Sequence, residues 1–111
     1  MGLRNLPQDE PQKLADCISC REGQVSSMGL TSVDCPVSMT LFEFSAGQSV
    51  SEEAYEADVM YYLLEGSLHL TLEGRAVDFE PGDAFKVERG VEHALAGPVE
   101  GACKFVQVIV P

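Results

Sequence analysis

Residues 47–97 read GQSVSEEAYEADVMYYLLEGSLHLTLEGRAVDFEPGDAFKVERGVEHALAG. Within them Leu68, Leu70 and Leu72 are separated by His69 and Thr71, the period of two expected where one face of a strand is buried and the other is not. Turn signals recur about every ten residues. Glu65-Gly66, Glu73-Gly74, Pro81-Gly82-Asp83 and Arg89-Gly90 supply glycines that accept the positive φ of tight turns, with Pro81 fixing the approach to one of them. Helical periodicity is weak throughout. Short strands joined by tight turns predict an all-β sandwich or barrel.

Working outward, strands are predicted at Gln24–Leu30, Val37–Phe44, Val59–Leu64, Ser67–Leu72, Ala76–Phe79, Ala84–Val87, His93–Ala96 and Cys103–Val110. Val37, Met39 and Leu41 point one way and Thr40, Phe42 and Phe44 the other, so that strand is expected to be buried on both faces. Residues 1–13 hold Pro7, Pro11 and many polar side chains, and read as an extended N-terminal arm. Residues 14–111 then form a single barrel domain, a size at which one core suffices. The acidic run SEEAYEAD (51–58) is read as a connection between two strands.

With 18 acidic against 7 basic residues the net charge is -11, a field that repels phosphate backbones and anionic membranes, so neither is an expected partner. No run is long and apolar enough to span a bilayer, and no secretory pattern opens the chain, so a cytoplasmic location is expected. The four cysteines, Cys17, Cys20, Cys35 and Cys103, are read as thiols rather than a disulfide framework. Cys17-Ile18-Ser19-Cys20 is a lone CxxC without the βαβ context of a redox motif, and four-thiolate zinc would need two distant cysteines to converge on it.

The glycine spacing resembles that of the cupin superfamily, small jelly-roll barrels defined by two sequence blocks. The resemblance implies a double-stranded β-helix with little helix. In the second block Gly82, Gly90 and His93 match the family pattern, whereas Glu88 and Gly97 stand where it has proline and asparagine. In the first block the end glycines Gly47 and Gly66 are kept, but Glu53 and Tyr55 occupy the two histidine positions and Val59 the glutamate position. One of four usual metal ligands, His93, is retained.

His93 is therefore a candidate as metal ligand, as acid or base, or as a hydrogen-bonding group facing the cavity. Glu53 and Tyr55 are candidates for the same roles, with Glu52 taking the inward position if the register slips by one. Tyr61, Lys86 and Phe85 are candidate cavity-lining residues, and Tyr62, Phe42, Phe44 and Phe105 could wall an apolar pocket. His69 falls on the face opposite the leucines, as a surface or subunit contact.

Two functions follow from the resemblance. One is a small-molecule-binding barrel without the full metal set. The other is a metal-dependent enzyme of dioxygenase, isomerase or decarboxylase type, with iron, manganese, nickel or zinc held by a Glu53, Tyr55 and His93 site. The residues leave open whether the chain is an enzyme. A homodimer is expected, with the N-terminal arm and an outer sheet face as its contacts.

Overall fold

The computed structural model describes residues 2–19 and 21–111. Strand β4 (Asp58–Glu65) shows how the sequence makes the barrel: Val59, Tyr61 and Leu63 are buried, while Met60 and Tyr62 between them are exposed. Strand β5 (Leu68–Leu72) repeats the pattern with its three leucines inside. The remaining strands are β1 (Val25–Gly29), β2 (Ser38–Phe44), β3 (Ser49–Glu53), β6 (Arg75–Phe79), β7 (Ala84–Val87), β8 (His93–Ala96) and β9 (Cys103–Val110).

All pairings between these strands are antiparallel. They form a five-stranded sheet ordered β1-β2-β9-β4-β7 and a four-stranded sheet ordered β3-β8-β5-β6, the two layers of a jelly roll. The interior between the sheets is filled by Phe44, Val59, Tyr61, Leu63, Leu68, Leu70 and Phe105, with their buried neighbours.

Strand β2 is covered on both faces, as its two interleaved apolar sets require. Phe42 and Phe44 face the interior. Leu41 and Met39 lie outside the sheet, against Ile18, Leu14 and Cys17 from the N-terminal side. A short 3-10 turn, Leu14–Cys17, brings those side chains over. Before it, Leu3 bridges Thr31 and the Arg4 amide donates to the Leu30 carbonyl at 2.9 Å, so the start of the arm lies along its own barrel.

Two turns explain glycines of the opening stretch. Leu72 pairs with Arg75, leaving Glu73 and Gly74 as a two-residue hairpin in which both have positive φ, 48° and 78°. At Gly66, φ is +82° and an added Cβ would stand 2.3 Å from the Ala102 carbonyl oxygen. No side chain fits there.

One expectation is corrected. The acidic run is not wholly a connection, because Ser51, Glu52 and Glu53 belong to β3. That strand has one strongly apolar residue, Val50, and its own pattern does not announce it. It forms because it pairs along β8 at a sheet edge, an interaction made by the fold rather than by local preference.

Candidate functional site

A cavity of about 150 Å³ opens between the sheets, walled largely by Phe42, Phe44, Phe105, Val50 and Leu95. Its polar end is built from both sheets. His93 comes from β8, Tyr61 from β4 and Gln107 from β9, and all three are buried. Glu53 lies opposite His93 across the β3–β8 ladder, and the chain beyond β3 carries Tyr55 into the same cavity. The Gly90 amide donates to the Tyr55 carbonyl at 2.9 Å and fixes that segment to the turn before His93.

A bulge decides which glutamate faces inward. Val50 pairs with Leu95 and Glu53 with His93, so three steps on β3 match two on β8. The extra residue gives Glu53 the position opposite His93, where a regular ladder would have put Glu52. Glu52 instead lines an outer groove with Glu73, Arg75 and Glu92.

The hydrogen bonds of the polar end have one consistent direction. The Val91 carbonyl can only accept, so His93 Nδ1, 3.1 Å away, carries the hydrogen and donates it. His93 Nε2 then accepts from the Tyr61 hydroxyl at 2.6 Å. The Tyr61 oxygen accepts from Gln107 Nε2 at 3.2 Å. The same amide nitrogen reaches the Tyr55 oxygen at 3.4 Å, and the Tyr55 hydroxyl donates to the Glu53 carboxylate. Two phenols that donate elsewhere can offer Gln107 only acceptors, which fixes its amide orientation.

Burial pushes the Tyr61 hydroxyl pKa well above the ordinary tyrosine value, with the hydrogen bond from Gln107 opposing and the nearby Tyr55 and Glu53 adding to the rise. Tyr55 is also raised, first by burial and then by its bond to the Glu53 carboxylate. Both phenols therefore keep their protons, and with them their role as donors, across the neutral range.

Tyr61 joins His93, Glu53 and Tyr55 in the cavity, but Lys86 and Phe85 do not line it. Adjacent strand residues face opposite ways. Lys86 points outward, 3.7 Å from Glu88. Phe85 packs against the interior, edge-on to Phe79 with the Arg75 guanidinium over its ring, away from the cavity wall. Tyr62 is exposed on the outer face of β4. His69 is on the outward face of β5, 2.7 Å from Asp78. Cys17 and Cys35 are free thiols, and Cys103 is buried at the start of β9. Cys20 lies outside the described residues, and the reading of the CxxC pair with it.

Gln107 is the cavity residue that the sequence reading does not single out. Its signal was an uncharged polar side chain at an inward position of the apolar strand CKFVQVIV, two residues after Phe105.

These positions fit a metal ion poorly. The Nε2 lone pair of His93 is taken by Tyr61 and its Nδ1 hydrogen by Val91. Tyr55 would have to lose a proton that its surroundings hold more tightly than usual. Among the described residues no three His, Cys, Asp or Glu side chains converge as a metal set. The donor set is thus that of a hydrogen-bonding cavity.

Jelly-roll topology and the spacing of glycines around this cavity define the cupin class, and residues 40–109 match the cupin domain family. The chain belongs to that family. It is similar to the crystal structure of a cupin superfamily protein from Desulfitobacterium hafniense, with 41% identity over 97% of this chain and 96% of the other, and a TM-score of 0.91. A conserved protein of unknown function from Streptococcus pyogenes superposes with a TM-score of 0.88 at 22% identity, covering 99% of this chain and 94% of that one. KdgF from Halomonas sp. gives 0.71 at 20% identity, covering 84% and 85%. The last two likenesses concern the fold alone. Among curated proteins no relative matches.

Proposed function

We propose that this chain is a small-molecule-binding cupin whose cavity works through hydrogen bonds rather than through a coordinated metal. The observation that carries this reading is the commitment of both His93 nitrogens, one to Tyr61 and one to the Val91 carbonyl, at the closed end of an apolar-walled cavity. A ligand with an apolar body and one polar end suits such walls. Two measurements test the reading. Protein expressed with iron, manganese, nickel and zinc in the medium is expected to purify with far less than one metal per chain; stoichiometric metal lost in His93→Ala defeats it. A fragment screen by amide NMR is expected to shift the resonances of Val50, Tyr55, His93 and Leu95 together, and a screen in which no fragment does so counts against the cavity as a binding site.

The working unit in this reading is a homodimer. Support comes from the outer face of the five-stranded sheet, where Met60, Tyr62 and Val110 are exposed at 39%, 37% and 47% beside the patch covered by Leu14 and Ile18. The described residues form no helix long and apolar enough to cross a membrane, and a cytoplasmic setting accords with the free thiols of Cys17 and Cys35.

A further inference from the structure

We infer that the cavity selects small cations, specifically a protonated amine on an apolar body of about benzene size, and rejects carboxylates and phosphates. The inference rests on the cavity being a ligand site and adds the chemical class of what enters it.

Donor accounting carries the argument. The Tyr61 hydrogen goes to His93, the Tyr55 hydrogen to Glu53 and the His93 Nδ1 hydrogen to Val91. The Gln107 amide nitrogen is turned to both phenol oxygens. The hydroxyl of Ser51, at the exposed rim, is the one other side-chain donor among the described lining residues. An anion entering here would find its charge almost without donors and would face a carboxylate besides.

Acceptors, by contrast, are available. The Glu53 carboxylate has four lone-pair sites and spends one on Tyr55. No described lysine, arginine or histidine forms an ion pair with it. Gln107, with its nitrogen held by the phenols, keeps its carbonyl oxygen as an acceptor. The rings of Phe42 and Phe44, each packed on Phe105 with centroids 5.3 and 5.1 Å away, add with it π faces that attract a cation and repel an anion. A volume of about 150 Å³ is that of a cavity known to take benzene, which sets the size of the apolar body.

Isothermal titration of the full chain with benzylamine, benzyl alcohol and benzoate, at neutral pH and about 0.15 M ionic strength, tests this. The three probes share a ring and differ in charge. The ammonium is expected to bind at least about tenfold more tightly than the alcohol, benzoate is expected to give no detectable heat, and Glu53→Gln is expected to cut the ammonium-to-alcohol ratio by at least about threefold, leaving the smaller preference that the rings supply. Benzoate binding as tightly as the ammonium, or an ammonium-to-alcohol ratio undiminished in Glu53→Gln, overturns the inference. Alcohol binding with no cation preference defeats it alone, whereas failure of all three probes to bind defeats it together with the reading of the cavity as a ligand site.

Discussion

Tyr61 is the residue on which the polar end depends, since its hydroxyl gives to His93 and takes from Gln107 in one place. Tyr61→Phe keeps the ring, leaves the buried His93 Nε2 without its partner and leaves Gln107 with only its longer contact to Tyr55. Urea unfolding at neutral pH is expected to show a loss of about 1–3 kcal/mol. The pH dependence has a definite sign. Because the folded-state pKa is raised, the native chain holds a proton that the unfolded chain releases above about pH 10, and stability falls as pH climbs from there. Thermal melts of the wild type are expected to decline through that alkaline range, and those of Tyr61→Phe to decline less steeply. His93, Glu53 and Tyr55 were legible in the sequence because Gly47 and Gly66 frame the first block and Gly82 and Gly90 lead into His93 at fixed spacing. Gln107 was harder to see, since it lies outside both blocks and its one signal, a polar side chain in an apolar strand, does not say what it meets until β9 is laid against β4. Lys86 and Phe85 could not both have faced inward: neighbours on a strand never share a face.

Among the strands, β2 carries a burden that its pattern did not reveal. Glu43, between the buried Leu41 and Phe44, is itself 7% exposed, and its Oε1 has no hydrogen-bond partner among the described residues. Burying a carboxylate oxygen without a hydrogen-bond partner is costly. Glu43→Gln, which keeps the shape and removes the charge, is expected to raise stability by about 1 kcal/mol in urea unfolding. Turns behave in the opposite sense. Gly66→Ala forces a Cβ against the Ala102 carbonyl in a left-handed conformation, whereas Gly74→Ala has the same conformation but open space. The second is expected to cost about 1–2 kcal/mol and the first clearly more, a ranking that denaturant midpoints measured side by side will check. Strands with strict alternation, such as β4 and β5, could be read from sequence. Strand β3 could not, because four of its five residues are serine or glutamate and its existence depends on pairing with β8.

Across the whole molecule, the sheets bury apolar residues on their inner faces, and the five-stranded sheet carries a second apolar patch outside, partly covered by the segment around Leu14–Cys17. Light scattering is expected to give twice the chain mass at micromolar concentration, and Tyr62→Glu combined with Met60→Glu is expected to give the monomer with little change in melting temperature, since both side chains already meet solvent. A monomer at every concentration would remove the dimer from the picture.

The order of strands in the larger sheet also governs when the cavity comes into being. Strand β9 lies between β2 and β4, so Phe42 and Gln107, two of its walls, come from segments far apart along the chain. Joining them requires a large loop to close before the contacts that reward it can form, which places folding in the slow range of milliseconds to seconds. Until β9 docks, the chain lacks Phe105 and Gln107 at the cavity and the strand that joins β2 to β4, so the cavity is incomplete. Ligand therefore meets a complete site only after that docking, and is expected to slow unfolding without hastening folding.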